Sequence, residues 1–341
     1  MATLALVTGA GGFLGRYVAE QLVARGDRVR GFSRGDYPEL AELGVELVRG
    51  DLRDPQQAKS ACEGVDVVYH VGGKPGVWGP WTEYYEINTL GTQHLIQGCL
   101  EHGVGRFVYT SSPSVTFNGG DQVNVDETEP YPDRWLCHYP HSKALAEQYV
   151  LEHNGRSHGG QAPKSGKLWT CALRPHLIWG PRDGHLVPRM IDRAKSGRLR
   201  VVGDGQNLVD TVYVENAAQA HRAAADRLTE GSPVCGQAYF ISQGEPVNCW
   251  AWINDVVVMA GLPPLTKRIS ARAAYVAGGM LEAIHTVLPF LGEPQMTRFV
   301  AAQLSTSHYF DLSKAEADLD YRPQVSIAEG MQRLADDLQH R

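Results

Sequence analysis

The sequence lacks any C-x-x-C pair, because its six cysteines are scattered along 341 residues. This spacing excludes the common zinc-site and disulfide frameworks, and it is typical of reduced thiols in a cytosol. An excess of cations is also absent, since 32 Lys and Arg stand against 38 Asp and Glu. The resulting net charge of -6 provides no basic field for nucleic acid. We therefore expect neither a metal site nor a nucleic-acid partner.

The N-terminus lacks a positively charged stretch followed by a long apolar core, so no signal peptide is predicted there. It is instead interpreted as a first strand. With 43% hydrophobic and 21% charged residues, the composition is that of an ordinary globular protein. The length suits one large α/β domain and a second lobe.

Glycines follow the first predicted strand at the spacing of a dinucleotide-binding turn. The strand, residues 3–8, runs into Thr-Gly-Ala-Gly-Gly-Phe-Leu-Gly, and apolar residues then recur over 13–25 with a helical period. Glycine lets the chain turn sharply and lets a pyrophosphate approach the backbone. Amides at the helix start then bind the phosphates. The predicted cofactor contacts in this turn are Gly9, Gly12, Phe13, Leu14 and Gly15.

The second predicted strand, residues 28–33, ends without a carboxylate. An Asp or Glu at this place binds the 2′-hydroxyl of NAD, whereas a cation suits the 2′-phosphate of NADP. Ser33 and Arg34 stand there, which favours NADP(H) over NAD(H). NAD(H) stays open, because Arg34 can be a solvated loop cation while Asp36 replaces the missing acid.

Two more cofactor contacts are predicted after the third strand, residues 45–49. Asp51 can accept the adenine amino group, and Leu52 can cover the adenine ring. An aspartate at 51 or 54 can instead cap the helix predicted over 55–62. The two roles suit different aspartates.

Strands and helices alternate through the rest of the N-terminal half. The apolar run 65–70 is typical of a parallel strand buried on both faces, a helix is predicted over 85–102, and a fifth strand over 106–109. The alternation predicts an α/β fold with a Rossmann-type doubly wound parallel sheet. Ligands bind outside the carboxyl ends of such strands. Ser112 follows the fifth strand, and its hydroxyl is predicted to bind a substrate oxygen.

Tyr139 and Lys143 lie four residues apart at the start of a predicted helix, residues 137–150. Four residues make about one helical turn, so the phenol and the ammonium share one face. A neighbouring cation favours the phenolate and lowers the tyrosine pKa. The pair therefore predicts an acid–base group. Isolated Tyr-x-x-x-Lys pairs are common on helices, and it is the glycine turn and Ser112 that give this pair its weight.

The order and spacing of five motifs resemble the extended short-chain dehydrogenase/reductase family along almost the whole chain. They are Thr-Gly-x-x-Gly-x-x-Gly at 8–15, Asn88-x-x-Gly91-Thr92, Thr110-Ser111-Ser112, Tyr139-x-x-x-Lys143 and Arg174-Pro175.

Segments 139–143, 172–181 and 185–189 resemble the 3β-hydroxysteroid dehydrogenase branch of that family. This branch includes sterol-4-carboxylate 3-dehydrogenases and the bacterial 2-alkyl-3-oxoalkanoate reductases of long-chain olefin biosynthesis. The stretches 32–38 and 202–210, with Thr-Arg-Phe at 297–299, are most similar to those reductases.

The resemblance implies an NAD(P)-dependent oxidoreductase and a homodimer. Tyr139 is then the acid–base residue, Lys143 binds the nicotinamide ribose and lowers the tyrosine pKa, and Ser112 holds the substrate oxygen. Ser112 is preferred to Ser111 because it immediately precedes the Pro-Ser-Val segment. NAD-using members carry an Asp where this chain has Ser33, a departure that agrees with NADP(H).

A smaller substrate-binding lobe is predicted from residue 175 to 341, after an NADP-binding domain over 1–174, with segments near 208–228 returning to that domain. Segment 155–167 is rich in Gly and Ser, and it is predicted as a flexible surface loop. Two roles are open for four residues of the lobe: contact with a substrate carboxylate, or structural hydrogen bonds. These residues are His176, Trp179, His185 and Arg189.

The stretch 271–291 is largely apolar but is interrupted by Arg272, Glu282 and His285. These charges argue against a membrane-spanning helix. A buried lobe helix, a lining for a long alkyl substrate and an interfacial membrane contact all fit.

The resulting hypothesis is an NADPH-dependent reductase that converts a 2-alkyl-3-oxoalkanoic acid to the 3-hydroxy acid. One alternative is a decarboxylating 3β-hydroxysteroid or sterol-4-carboxylate 3-dehydrogenase, and another is a non-catalytic NADP-sensing protein. The intact Tyr139 and Lys143 argue against the sensor. The expected location is the cytoplasm, with or without peripheral membrane association. The expected partners are a hydrophobic small-molecule substrate, a second copy of the chain, and a membrane or pathway-enzyme contact.

Overall fold

The apolar runs of the N-terminal half form strands buried on both faces. In the first strand, β1 (Leu4–Thr8), Leu4 and Leu6 pack on one side of the sheet, while Ala5 and Val7 pack on the other. This alternation follows from the two-residue period of a strand. The computed structural model describes residues 3–160, 162 and 166–340.

Helices and strands alternate up to the catalytic region. The elements are β1, α1 (Phe13–Ala24), β2 (Arg28–Ser33), α2 (Pro38–Glu42), β3 (Glu46–Arg49), α3 (Pro55–Ser60), β4 (Val67–His70), α4 (Trp81–Tyr84), a π-helical turn (Tyr85–Leu90), α5 (Gly91–His102), β5 (Arg106–Thr110), a 3-10 turn (Pro113–Thr116), β6 (Gln122–Val125), α6 (His138–Glu152), β7 (Arg156–Ser157) and β8 (Lys167–Pro175).

The remaining elements are shorter and less regular. They are β9 (Ile178–Trp179), α7 (Leu186–Lys195), β10 (Val201–Val202), β11 (Leu208–Val209), β12 (Val212–Tyr213), α8 (Val214–Arg227), β13 (Ala238–Ile241), β14 (Val247–Asn248), α9 (Cys249–Met259), β15 (Arg268–Ile269), α10 (Ala271–Val287), a 3-10 turn (Pro289–Leu291), α11 (Arg298–Gln303), β16 (His308–Phe310), α12 (Ser313–Leu319) and α13 (Ile327–Gln339).

The main sheet has the strand order β3-β2-β1-β4-β5-β8-β13, and every neighbouring pair on this path is parallel. The order reverses between β1 and β4, where a doubly wound sheet binds its ligand. Helices α1, α8 and α12 cover one face, and α3, α5 and α6 cover the other. The predicted Rossmann-type fold class is confirmed.

The C-terminal lobe has a separate apolar core formed by α7, α9, α10, α11 and α13. Its largest sheet within the described residues has the order β14-β11-β16-β6. Helix α8 packs against the face of the main sheet that α1 covers, and β13 extends that sheet. The predicted division into 1–174 and 175–341, with the return near 208–228, stays a prediction.

The helix predicted over 85–102 begins earlier and is not regular. Its chain is already helical at Trp81, and a π-helical turn separates α4 from α5. A π turn holds one residue more than an α turn and shifts the side chains that follow it. This turn contains the buried Asn88.

The stretch 208–213 forms two short strands, β11 and β12, separated by Asp210 and Thr211. The buried Asp210 carboxylate accepts hydrogen bonds from the Ser242 hydroxyl at 2.8 Å and the Phe310 amide at 3.0 Å. These hydrogen bonds to the Asp210 side chain lie at the break between β11 and β12.

The segment 155–167 is not a loop along its whole length. Arg156 and Ser157 form β7, which pairs antiparallel with Leu168 and Lys167. Residues 161 and 163–165 of the predicted flexible loop lie outside the described residues, as do Met1 and Ala2 of the N-terminus.

Helix α10 buries only a narrow stripe formed by Ala274, Gly278 and Glu282. The outward face is apolar, with Met280 63% exposed and Val287 77% exposed, and Phe290 in the following turn is 80% exposed. The interpretation of this segment as a buried lobe helix is therefore wrong for most of its surface. None of the helices in the described part of the chain has the length and apolar content that a membrane crossing requires.

A buried ion pair joins the helix α6 to the sheet. The Arg174 Nη2 atom lies 2.6 Å from the Glu147 Oε1 atom, with side chains only 4% and 0% exposed. Burial alone would raise the pKa of Glu147, but Arg174 and neighbouring hydroxyl groups hold it below its usual value. The Tyr131 hydroxyl donates a further 2.7 Å hydrogen bond to the same carboxylate.

We predict that Glu147→Gln lowers the free energy of unfolding by about 3–5 kcal/mol, since it leaves the Arg174 guanidinium buried without a counter-charge. Urea unfolding followed by circular dichroism measures this change. The matched control is Glu152→Gln on the exposed side of the same helix. Equal stability of the two variants would contradict the assigned role of the ion pair.

Candidate active site

The glycine turn after β1 has the backbone geometry that the sequence requires. Gly9 has a positive φ of 67°, and a Cβ on Gly15 would lie 2.2 Å from the Gly9 carbonyl oxygen. Gly12 is the N-cap of α1 and offers no side chain to the helix amides. The N–H groups at Phe13 and Leu14 therefore begin a helix whose N-terminus suits a pyrophosphate.

Tyr37 packs on this turn, a contact that sequence reasoning missed. A Cβ on Gly11 would lie 2.0 Å from the Tyr37 ring, so the ring occupies the space that Gly11 leaves open. The Gly11 amide donates a 3.3 Å hydrogen bond to the Ser33 hydroxyl. The signal in the sequence was Gly11 itself, because this extra glycine is not needed for the three-glycine spacing and leaves room for a neighbouring side chain.

Arg34 is exposed beside the end of β2, and it forms no ion pair within the described residues. Asp36 is also exposed and lies 3.8 Å from the Arg49 guanidinium. Arg34 therefore offers an exposed cation near the glycine turn, where its charge also lowers the pKa of Asp51, whereas Asp36 faces Arg49.

Leu52 lies next to the turn that follows β4, where a Cβ added at Gly72 would lie 3.3 Å from the Leu52 Cδ1 atom. The Asp51 carboxylate is paired with Arg53 at 2.6 Å, which lowers the pKa of Asp51. Asp54 is the N-cap of α3, and its carboxylate accepts hydrogen bonds from the backbone amides of Gln56 and Gln57. Leu52 is buried against Gly91. A Cβ added at Gly91 would lie 2.8 Å from the Leu52 Cβ atom.

The catalytic candidates Ser112, Tyr139 and Lys143 come together at the carboxyl end of β5. Ser112 is the N-cap of the 3-10 turn, and its hydroxyl is hydrogen-bonded to Tyr139 and lies 2.9 Å from the Ser114 hydroxyl. The Ser111 hydroxyl instead lies beside the Glu147 carboxylate. The geometry thus places Ser112 rather than Ser111 against the tyrosine.

Burial dominates the protonation of both catalytic groups. It raises the pKa of Tyr139 to about 12, although the hydrogen bond from Ser112 acts in the opposite direction. It lowers the pKa of Lys143 to about 7. The Lys143 ammonium donates a 2.6 Å hydrogen bond to the Thr110 carbonyl and lies 4.1 Å from the centre of the Tyr109 ring. Burial is the largest effect on the tyrosine, and the expectation that Lys143 lowers the tyrosine pKa stays a prediction.

A chain of buried hydrogen bonds connects the ends of β1 and β4 to α5. The Thr8 hydroxyl is hydrogen-bonded to His70 Nδ1 at 2.7 Å, and it accepts a hydrogen bond of 3.0 Å from the Gly72 amide. His70 Nε2 then bonds to the Thr92 hydroxyl at 2.8 Å, and that hydroxyl donates to the Asn88 carbonyl. Burial lowers the pKa of His70 well below its usual value, so the ring is neutral.

Asn88 continues this chain to the first turn of α6. Its side-chain amide donates to the Ser142 hydroxyl at 2.9 Å and to the Lys74 carbonyl at 3.1 Å, and its oxygen accepts the Lys74 amide at 2.7 Å. Ser142 donates in turn to the Tyr139 carbonyl at 2.8 Å. Asn88 therefore fixes the position of the tyrosine backbone. The sequence contained Asn88 in a motif but gave no sign of these partners.

The four polar residues proposed for the lobe divide into two groups. His176 is buried and bonds to His308 at 2.7 Å, and Trp179 is buried between Tyr213 and Trp252. These two are therefore structural. His185 and Arg189 line an open cleft of about 820 Å³ and remain accessible.

The chain matches the sequence profile of the 3-beta hydroxysteroid dehydrogenase/isomerase family over residues 6–269. It is 49% identical over 331 residues to the 2-alkyl-3-oxoalkanoate reductase of Shewanella oneidensis, covering 97% of this chain and 85% of the relative. It is 47% identical over 332 residues to the protein of that name from Stenotrophomonas maltophilia, covering 96% of this chain and 97% of the relative. The human decarboxylating sterol-4-alpha-carboxylate 3-dehydrogenase is 34% identical over 340 residues, covering 98% of this chain and 88% of the relative.

Solved structures share the fold over the whole chain. The crystal structure of gox2253 has a TM-score of 0.75 at 27% identity, covering 100% of this chain and 98% of its own. The UDP-glucose 4-epimerase of Thermus thermophilus, solved with NAD, has a TM-score of 0.73 at 25% identity, covering 99% of each chain. These neighbours and the glycine turn support a nicotinamide dinucleotide cofactor. The chain thus belongs to the 3-beta hydroxysteroid dehydrogenase/isomerase family, and it is an NAD(P)-dependent oxidoreductase that acts on hydroxyl or keto groups.

Proposed function

We propose that the protein is an NADPH-dependent reductase that converts 2-alkyl-3-oxoalkanoic acids to 3-hydroxy acids in long-chain olefin biosynthesis. The observation that carries the proposal is the joint presence of Ser112, Tyr139 and Lys143 at the end of β5, in a chain 49% identical to a 2-alkyl-3-oxoalkanoate reductase. We place the enzyme in the cytoplasm and propose a homodimer.

The catalytic residues suit the reductive direction. When bound, the reduced nicotinamide supplies the hydride. The hydroxyl groups of Ser112 and Tyr139 polarise the carbonyl oxygen, and Tyr139 donates its proton to the alkoxide that forms. A phenol with a pKa of about 12 is protonated at neutral pH, and an alkoxide is a much stronger base than a phenolate. Tyr139 therefore enters the reaction as an acid.

The choice of NADPH rests on the end of β2. Ser33 contributes no carboxylate that would repel a 2′-phosphate, and Arg34 is an exposed cation beside the glycine turn. A cation at this position binds a 2′-phosphate by charge-assisted hydrogen bonds.

The decarboxylating sterol dehydrogenase is the second candidate. It is favoured by relatives named for that activity, such as the mouse protein at 34% identity over 340 residues. Both candidates use the same hydroxyl, phenol and ammonium groups, and they differ in the substrate and in the direction of hydride transfer.

The first experiment offers the purified protein a 2-alkyl-3-oxo acid and a 3-oxosteroid, each with NADPH and with NADH. We expect NADPH consumption with the alkyl substrate, and slower consumption of NADH. Absorbance at the reduced-nicotinamide band measures both rates. Consumption of NADPH with the steroid alone would overturn the proposed substrate.

We predict that Tyr139→Phe lowers kcat by at least about a hundredfold, as general acid catalysis contributes on that order, while the Kd for NADPH changes little. The matched control is Tyr149→Phe, which removes a hydroxyl from the same helix away from the site. Stopped-flow turnover and fluorescence titration give the two quantities. Undiminished turnover in the Tyr139 variant would remove it from the mechanism.

We predict that Arg34→Gln weakens NADPH binding about tenfold or more and leaves NADH binding unchanged, because one charge-assisted contact is worth on the order of 1.5–3 kcal/mol. Calorimetric titration with each cofactor measures the two Kd values. Arg49→Gln, an exposed cation on the neighbouring strand end, is the control. An equal effect on both cofactors would contradict recognition of the 2′-phosphate by Arg34.

A further inference from the structure

An apolar cavity of about 260 Å³ lies mainly inside the C-terminal lobe, and neither Ser112 nor Tyr139 lines it. It is larger than the roughly 150 Å³ apolar cavity that is known to hold benzene. Side chains that line it include Val77, Leu177, Val209, Ile253, Phe299 and Val300. The cavity therefore has the size and chemistry to take an apolar group.

The inner wall of this cavity is packed directly against the catalytic segments. Phe299 meets Phe117 edge to face at 5.9 Å between ring centres, and Phe117 directly follows the 3-10 turn that Ser112 caps. Val77 and Val300 belong to the same apolar cluster, together with Leu136 and Cys137. Since Cys137 is the N-cap of α6, the cavity wall touches the segments that carry both Ser112 and Tyr139.

A second compartment begins at the same place. It is an open groove of about 1060 Å³ that also includes Val77, and its walls carry Trp78, Trp135, Cys137 and Ala283. Ala283 belongs to α10, so this helix forms one side of the groove. Cavity and groove thus share Val77, and the groove also includes Cys137 at the start of the catalytic helix.

We propose that the cavity holds one alkyl chain of a two-chain substrate and the groove holds the other, with Val77 at the branch point. This assignment rests on the proposed function, in which C2 and C3 of the substrate each carry an alkyl chain. A single-chain or a rigid substrate needs only one of the two compartments. The lobe therefore selects for branching next to the reacting carbonyl.

Two arginine side chains line one side of the cavity. Arg189 and Arg193 line both the cavity and the arginine-rich cleft of about 820 Å³, so they form the wall between them. The aliphatic stems suit the apolar side, while the guanidinium groups suit the wet side. Burial lowers the pKa of Arg193, which forms no ion pair within the described residues. A chain long enough to reach Arg193 would desolvate this cation, so the arginine limits the chain length.

The test uses Val300→Phe to shorten the cavity and Ala283→Phe to narrow the groove. Substrates are 2-alkyl-3-hydroxyalkanoic acids oxidised with NADP⁺, since the 3-oxo acids lose carbon dioxide readily, in two series that lengthen one chain at a time. We expect Val300→Phe to lower kcat/KM by about fourfold per excluded methylene in one series only. Ala283→Phe affects the other series, and the exposed Val258→Phe affects neither.

A second pair of variants tests the length limit without filling the core. Arg193→Leu is expected to raise kcat/KM for the longest members of the series that Val300→Phe disfavours. Arg198 lines the cleft but not the cavity. The control variant Arg198→Leu should therefore leave the chain-length profile unchanged.

The two failures can be told apart. Wild-type enzyme that neither oxidises nor binds any two-chain hydroxy acid would overturn the proposed function, and the chain assignment with it. Normal wild-type turnover, with the same chain-length profile in Val300→Phe, Ala283→Phe and Arg193→Leu, would overturn the chain assignment alone.

Discussion

The Lys143 ammonium is buried at the carboxyl end of β5, where it donates to the Thr110 carbonyl and lies over the Tyr109 ring. A lysine in such a place requires every neighbouring element to be held firmly, because a small displacement would leave the ammonium without a partner. Helix α6 is held by the Glu147–Arg174 ion pair on one side and by Asn88 on the other. The position of Tyr139 follows from these restraints, since it stands one turn before the lysine.

Most of the nucleotide half could be predicted because its signals are local. The glycine turn, the strand periods and the spacing of Tyr139 and Lys143 each depend on residues close in sequence. The protonation of Tyr139 could not be predicted in this way. A neighbouring cation lowers a tyrosine pKa in general, but burial has the largest effect on Tyr139 here, and burial is a property of the assembled fold.

The lobe was harder to predict for the same reason. Helix α10 has the composition of a core helix, yet most of its large apolar residues face outward, because its buried residues are Ala274, Gly278 and Glu282. His176 and Trp179 resembled ligand-binding residues, although their neighbours in space, His308 and Tyr213, make them structural. The network from Thr8 through His70 to Thr92 joins three elements that are far apart in sequence.

The π-helical turn at Tyr85–Leu90 also constrains how this chain can be recombined with others. Each residue of a helix turns the chain by about 100°, so a one-residue deletion before Asn88 would rotate its side chain away from Lys74 and Ser142. The length of this stretch is thus as important as its composition. Chimeras with relatives keep the tyrosine in place only when the parental crossover preserves the residue count between Trp81 and Thr92.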